Sequence, residues 1–179
     1  MIFRQTKLKG AYIIELEKIE DERGFFARSW CQKEFDAHGI NPKLVQCNIS
    51  YNILKGTLRG MHFQMPPFSE AKLIRCTRGS IFDVIIDLRP ESNTYTDWFG
   101  TELSSDNYHI LYVPEGFAHG FITLEDHTEL FYQMSEFYRS EAAQGVRWND
   151  PAFEIEWPIP VKFINERDAN YPDFEGIAS

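Results

Sequence analysis

The stretch SIFDVIIDLR, residues 80–89, has the period-2 alternation of a β-strand. Its even positions carry large apolar side chains on one face, and its odd positions alternate isoleucine with aspartate on the other: Phe82, Val84, Ile86 and Leu88, against Ile81, Asp83, Ile85 and Asp87. The stretch therefore predicts a central strand, from which the remaining elements can be assigned.

Short runs of the same type recur along the chain, separated by turn-forming clusters such as EDERG, LRPESNTYTD and SSDN. The runs are AYIIEL, KLVQCNIS, KLIRCT, DWFGTEL, HILYVP, GFITL and ELFYQM. Their spacing favours an all-β sandwich or barrel. A short helix is predicted in SWCQKEFDAHGI, with Ser29 as its N-cap and Gly39 as its stop. We expect the last forty residues to form irregular chain and turns around the barrel.

Length and composition indicate one folded globular domain. The chain has 179 residues, about the length of one domain, so residues 1–179 are expected to share one core. The net charge is −9, whereas nucleic-acid-binding proteins usually carry a basic face, so we do not expect a nucleic-acid binder. No apolar run is long enough for a membrane span or signal peptide, so we expect a cytosolic protein.

The stretch GTLRGMHFQ, residues 56–64, places polar side chains in a β-prone run. On a regular strand His62 and Gln64 share one face, while Arg59 lies on the other. If Arg59 and His62 serve one site, the strand must bend or bulge at Gly60. On KLIRCT, Lys72 shares a face with Ile74 and Cys76, so its ammonium must either reach solvent or pair with an anion.

The spacing Gly-x5-His-x-Gln, with Pro-x-Gly-x-x-His further on, resembles the two half-motifs of the cupin superfamily, which are jelly-roll barrels. Metal-binding cupins usually supply more histidines and a glutamate. Here Gln64 is a poor ligand, Lys72 would repel a cation, and His62 with His119 is too small a ligand set. The three cysteines Cys31, Cys47 and Cys76 have no CxxC spacing and are predicted to be free thiols. We therefore expect no metal and no cofactor.

A metal-free pocket with these residues suits proton transfer next to a carbonyl. His62 carries an imidazole that can accept a proton, Lys72 is a cation and Tyr132 is a weak phenolic acid. A base can remove a carbon-bound proton, a cation can stabilise the enolate oxygen, and an acid on the opposite face can return a proton. Such a sequence of steps inverts a stereocentre.

Over nearly its full length the chain resembles the dTDP-4-dehydrorhamnose 3,5-epimerase family. The resemblance is carried by DERGFF (21–26), QCNIS (46–50), TLRGMHFQ (57–64), AKLIRCTRGSIFDVIIDLR (71–89), YVPEGFAHGF (112–121), TELFYQ (128–133), GVRWNDPAFEIEWP (145–158) and ERDANYPDF (166–174). It implies a cupin-type jelly-roll β-barrel and a metal-independent isomerase.

The resemblance also implies residue roles. The family's catalytic base matches His62, and the carboxylate that partners the base matches Asp168. The lysine that stabilises the oxyanion matches Lys72, and the catalytic acid matches Tyr132. Substrate-binding positions match Arg59, near the diphosphate, and His119, Gln46, Asn48, Gln64 and Tyr138; Arg23 and Phe26 match a segment that reaches the nucleotide across a dimer. A homodimer with exchanged N-terminal segments is therefore expected.

The implied substrate is a nucleotide-diphospho-sugar, dTDP-4-dehydro-6-deoxy-D-glucose, and the implied product is dTDP-4-dehydro-L-rhamnose. Near the nucleotide, Arg28 and Cys47 stand where the family typically has a glutamate and an aspartate. The identity of the nucleotide base is therefore left open. Alternatives are epimerisation at carbon 3 alone, a CDP- or GDP-linked 4-keto sugar, or a non-catalytic sugar-binding cupin.

Overall fold

The computed structural model describes residues 1–177, which form a β-sandwich with two short helices. In chain order the strands are β1 (Ile2–Gln5), β2 (Tyr12–Glu15), β3 (Ile19–Asp21), β4 (Gly24–Phe26), β5 (Gln46–Asn52), β6 (Leu58–Gln64), β7 (Lys72–Arg78), β8 (Ser80–Asp87), β9 (Trp98–Ser104), β10 (Ile110–Val113), β11 (Phe117–Thr123), β12 (Thr128–Met134) and β13 (Ala143–Gly145). The helices are α1 (Gln32–Ala37) and α2 (Glu166–Ala169).

Two antiparallel sheets face each other. One has six strands in the order β1-β2-β10-β7-β12-β5, and the other has five in the order β13-β6-β11-β8-β9. Apart from the pairs β1–β2 and β8–β9, neighbours in each sheet are not consecutive in sequence, as in a jelly roll, whose long connections alternate between sheets. The predicted all-β, cupin-type jelly-roll fold is confirmed.

The main core lies between the sheets. Apolar residues from both sheets, among them Ile74 on β7, Ile85 on β8 and Leu130 on β12, are fully buried there. Ile81 and Ile85 belong to this core, whereas Val84 and Ile86 pack on the outer face of the five-stranded sheet. The two faces predicted for residues 80–89 are therefore both buried, each against a different layer.

Chain outside the sheets covers those outer faces. The C-terminal segment packs Val146 and Phe153 against the five-stranded sheet. The outer face of the six-stranded sheet is covered in part by α1 through Phe35. The C-terminal wrapping predicted from the sequence is present, with β13 and α2 as additional short elements.

The predicted helix is shorter than its sequence pattern. It begins after Cys31, whose carbonyl accepts the first backbone hydrogen bonds, from Glu34 and Phe35. The assignment of Ser29 as N-cap is wrong, because it lies two residues before that turn. The predicted stop is confirmed: Gly39 follows the last turn with φ of +66°, in the left-handed region that glycine adopts readily.

Strands β3 and β4 form a separate hairpin that projects from the sandwich. Phe25 packs edge to face on Tyr108, and the ammonium of Lys18 lies over both rings. Ile19 and Phe26 are 71% and 73% exposed. No helix in the described part of the chain is long and apolar enough to cross a membrane.

Candidate active site

A cavity of about 710 Å³ opens between the two sheets. Nine of the twelve residues predicted for the site line it: Gln46, Asn48, Arg59, His62, Gln64, Lys72, His119, Tyr132 and Tyr138. The cavity is thus lined by side chains from β5, β7 and β12 of one sheet and from β6 and β11 of the other.

Strand β6 is irregular where the sequence required it. Opposite β11, His62 pairs with His119 and Arg59 pairs with Phe121, so β6 uses one residue more than its neighbour. Gly60 lies in this bulge with φ of +131°, and a Cβ there would lie 2.5 Å from the Cα of Gly120. The bulge turns Arg59 and His62 toward one cavity, and the predicted distortion at Gly60 is confirmed.

His62 is paired with Asp168, which the C-terminal segment brings back across the sheet. Its Nε2 lies 2.8 Å from Oδ1 of Asp168, while the backbone N–H of Gly60 donates to Oδ2 at 3.0 Å. Asn165 caps α2 by accepting from the backbone N–H of Asp168 at 2.7 Å. Asp168 is therefore fixed from both sides.

The electrostatics of Asp168 suit a partner for a histidine base. Its side chain is 1% exposed, against 43% for His62. Burial opposes its charged form, but hydrogen bonds and charge from His62, with the Gly60 N–H, outweigh burial and hold the pKa of this carboxyl below its ordinary value. An ionised Asp168 orients the ring and stabilises an imidazolium on His62.

Lys72 is paired with a carboxylate that the sequence did not single out. Its ammonium lies 2.9 Å from Oε1 of Glu70 and donates to the backbone oxygen of His62 at 3.0 Å. Both side chains are buried, and both residues line the cavity. Of the two outcomes predicted for Lys72, solvent or an anion, the structure shows the anion.

Tyr132 lies on β12, in the sheet opposite His62, and its ring packs against the main core. Burial raises the pKa of its phenol, and the positive charge of Arg59 partly offsets the increase. A phenol with a raised pKa stays protonated at neutral pH. Tyr132 and His62 can therefore present an acid and a base from opposite sheets.

His119 forms a second histidine–aspartate pair on the five-stranded sheet. Its Nε2 lies 2.6 Å from Oδ1 of Asp83, which is fully buried on the inward face of β8. Asp83 was visible in the sequence only as a polar residue between Ile81 and Ile85. The pair fixes the orientation of the His119 ring at the cavity wall.

Gln64 lines the cavity, but its amide is used by the backbone. Its Nε2 donates to the carbonyls of Phe68 and Phe137, and its Oε1 accepts from the N–H of Arg139 at 2.6 Å. With both amide protons committed, the geometry favours a role in fixing loops over the predicted contact with substrate.

The mouth of the cavity carries further polar groups. Gln46 accepts from the backbone N–H of Tyr138, and the guanidinium of Arg59 donates to Asn52 at 2.7 Å. Arg167, next to Asp168 on α2, adds a second cation. Sequence reasoning missed Asn52 and Arg167, although Arg167 lies in a motif used for Asp168.

Arg23 and Phe26 do not line this cavity. Both are on the projecting hairpin, where Arg23 pairs with Asp21 of the same hairpin. The two residues that depart from the family pattern are also outside it: Arg28 pairs with Glu34, and Cys47 is exposed on the outer side of β5. Among the described residues, no cluster of three or more His, Cys, Asp or Glu side chains could hold a metal ion.

Residues 5–176 match the family model described as dTDP-4-dehydrorhamnose 3,5-epimerase. The chain belongs to this family. The enzyme of that name from Shigella flexneri is 40% identical over 171 residues, covering 95% of this chain and 94% of its own. Membership of the dTDP-4-dehydrorhamnose 3,5-epimerase family makes the chain an isomerase.

Solved structures of the family superpose closely. The dTDP-4-dehydrorhamnose 3,5-epimerase from Elizabethkingia anophelis NUHP1 aligns with a TM-score of 0.95 at 40% identity, covering 98% of this chain and 97% of its own. The dTDP-6-deoxy-D-glucose-3,5-epimerase from Legionella pneumophila Philadelphia 1, in complex with dTDP-4-keto-L-rhamnose, aligns at 0.86 with 34% identity, covering 93% and 89%. The family resemblance seen in the sequence is confirmed.

Proposed function

We propose that this isomerase converts dTDP-4-dehydro-6-deoxy-D-glucose to dTDP-4-dehydro-L-rhamnose by inverting carbons 3 and 5. The observation that carries the proposal is the placement of His62 and Tyr132 on facing sheets of one cavity. Lys72, on β7, lines the same cavity. A pure binding site would not need a carboxylate-backed histidine opposite a protonated phenol.

In the first step His62 takes the proton from a carbon next to the ketone. The C–H electron pair moves into the ring to form an enolate, and negative charge develops on the carbon-4 oxygen. The ammonium of Lys72 stabilises that oxygen, while Asp168 stabilises the imidazolium on His62. The ketone acidifies both neighbouring carbons, so one base can serve each in turn.

In the second step the phenol of Tyr132 delivers its proton to the opposite face of the carbon, and the enolate returns to a ketone. The resulting phenolate regains a proton from water, and His62 releases its proton to water. The carbon is inverted with no net change in protons. Repetition at the second carbon, after the ring readjusts, completes the double epimerisation.

The proposed diphosphate contact is carried by the cations at the cavity mouth. Arg59, held by Asn52, and Arg167 create local positive charge on a chain whose net charge is −9. A guanidinium supplies paired N–H donors that match phosphate oxygens. Gln46, Asn48 and Tyr138 then border the path toward the nucleotide.

We also infer a homodimer in which the β3–β4 hairpins are exchanged. The hairpin exposes Ile19, Phe26 and the guanidinium of Arg23. An exposed apolar strand pair that leaves its own sandwich is suited to a partner's surface. Sedimentation equilibrium at micromolar concentration should give twice the 21.0 kDa chain mass, and a monomer would overturn this inference.

Proton NMR in deuterated water tests the reaction. With dTDP-4-keto-6-deoxyglucose and no reductase present, deuterium should replace hydrogen at carbons 3 and 5, because reprotonation draws on solvent. Exchange at carbon 3 alone would indicate a monoepimerase. If a folded protein exchanges neither position, the same experiment with the CDP- and GDP-linked 4-keto sugars distinguishes a different nucleotide from a binding module.

A further inference from the structure

Glu70 is a buried carboxylate that the mechanism above does not use. It lies two residues before Lys72, its side chain is 3% exposed, and it lines the cavity. Its Oε1 is 2.9 Å from the Lys72 ammonium, whereas its Oε2 is buried with no hydrogen-bond partner in residues 1–177.

This arrangement is poor as a purely structural device. Burying a carboxylate costs free energy that a single ion pair repays only with good geometry and further hydrogen bonds, and buried pairs often contribute little to stability. Here one oxygen receives no hydrogen bond. The polar contact that Glu70 makes through its side chain is with Lys72, so its effect is exerted there.

An ammonium has three N–H bonds. The backbone oxygen of His62 accepts one of them at 3.0 Å, and Oε1 of Glu70 lies 2.9 Å from the same nitrogen as its ion-pair partner. An N–H of the ammonium remains available to the cavity that Lys72 lines. The lysine side chain has four flexible carbons. Because its ammonium is held by two partners, the side chain samples fewer rotamers, and the direction of its N–H bonds is better defined.

We propose that Glu70 is a positioning residue, which holds Lys72 so that its remaining N–H points at the ketone oxygen of the substrate. The inference rests on the proposed function, since it concerns the cation of that mechanism. It assigns Glu70 a role in turnover through Lys72, without contact between Glu70 and the substrate. A preorganised donor stabilises the enolate more than one that must reorient during the reaction.

A kinetic cycle tests this assignment. Glu70→Ala should lower kcat by about 10- to 100-fold, because misplacement of a catalytic group by about 1 Å costs up to about 10². KM should change little. Glu70→Gln should recover most of the activity, because its amide oxygen can occupy the same place beside the Lys72 ammonium and accept an N–H from it. Glu15→Gln, at a glutamate that pairs with Arg4 away from the cavity, is the matched control.

The decisive comparison uses Lys72→Met. If Glu70 acts through Lys72, adding Glu70→Ala to Lys72→Met should lower kcat by less than about twofold further, because neighbouring residues in one interaction are not additive. An equal loss from Glu70→Ala in both backgrounds, or wild-type kcat in Glu70→Ala, would overturn the proposal. Wild-type exchange at carbons 3 and 5, measured alongside, reports separately on the proposed function.

A stability measurement needs no substrate. Lys72→Met leaves both oxygens of a buried carboxylate without a partner, so its Tm should fall, and adding Glu70→Gln should restore much of the loss. Failure of Glu70→Gln to rescue the Tm of Lys72→Met would show that the two side chains are not coupled, and the positioning role would be rejected even if the true substrate carried another nucleotide.

Discussion

Asp168 holds His62 across a separation of 106 residues, with Nε2 of the imidazole 2.8 Å from a carboxylate that is itself almost fully buried. The same carboxylate accepts the N–H of Gly60, so it fixes both the ring and the bulged strand that carries it. The proposed base is therefore oriented from a short helix in the C-terminal segment. Its function depends on that segment being docked.

Replacement of the base gives the most direct prediction. His62→Ala should lower kcat by about 10² to 10⁴, because general-base catalysis contributes a factor of that size. Substrate binding should weaken only modestly, since the cations at the cavity mouth remain. Steady-state kinetics with the NMR exchange assay measures both, and His38→Ala, on a ring stacked against Phe3 outside the cavity, is the control. Near wild-type turnover in His62→Ala would refute the assignment.

Loss of charge behind the base should also slow the reaction. Asp168→Asn keeps a side chain of the same shape but cannot stabilise an imidazolium, so kcat should fall by about 10²-fold or more. KM should change much less than kcat. Circular dichroism and Tm establish that the variant remains folded. Equal activity of the variant and the wild type would mean that Asp168 only anchors the C-terminal segment.

Asp168 also makes stability depend on acid. Its folded pKa lies below the ordinary value of 3.8, so its stabilisation is fully present above pH 3.8 and is lost as pH falls through the folded pKa. Between about pH 5 and pH 2 the Tm of the wild type should therefore fall more steeply than that of Asp168→Asn. Asp36→Asn, at an exposed position on α1, controls for removal of one carboxylate. Parallel curves for wild type and Asp168→Asn would contradict the linkage.

The acid can be separated from the base. Tyr132→Phe should lower formation of the inverted product by about 10²-fold or more, while His62 continues to exchange hydrogen from its own face. Product and deuterium content are read from the same NMR spectra. Tyr112→Phe is the matched control, because Tyr112 is buried under the α1 region, with a pKa raised to about 12 by burial, and does not line the cavity. Loss of exchange and inversion together would assign Tyr132 another role.

The bulge makes a prediction about folding. Gly60→Ala combines a φ of +131° with a Cβ only 2.5 Å from the Cα of Gly120, so the free energy of unfolding should fall by at least about 1–3 kcal/mol. Gly39→Ala is the control, since Gly39 also has positive φ but no atom within 4 Å of an added Cβ. Denaturant titration of both variants measures the difference. Similar losses would mean that the close approach at Gly60 is unimportant.

The sequence predicted what local pattern encodes. Alternation predicted β8, and the conflict between Arg59 and His62 predicted the bulge at Gly60. The apolar face around Lys72 predicted either a side chain that reaches solvent or one paired with an anion, and the structure shows the second. The Ser29 cap failed because residues 29–31 have no signal that separates an extended approach from a first turn. Helix α2 was missed because it has four residues, too few for a periodic pattern.

Partner choice was harder to predict because it depends on tertiary contacts. The pairs Glu70 with Lys72 and Asp83 with His119 were not predicted, although each member lies on or beside a strand that was. Before the fold is known, a carboxylate near a strand has many candidate cations. Gln64 shows a further limit, since its motif position predicted substrate contact but gave no sign that its amide is hydrogen-bonded to the backbone of neighbouring loops.

The placement of His62 and Tyr132 on facing sheets has a consequence for how such enzymes can diversify. The gap between two packed sheets is about 10 Å and is set by strand geometry, which surface insertions do not alter. If the proposed roles hold, a sugar ring that enters this gap meets the base, His62, on one side and the acid, Tyr132, on the other. Substitutions at the cavity mouth, such as at residues 138 and 167, can then change which nucleotide-diphosphate group is bound. The distance between the two sheets, across which protons are exchanged, stays the same.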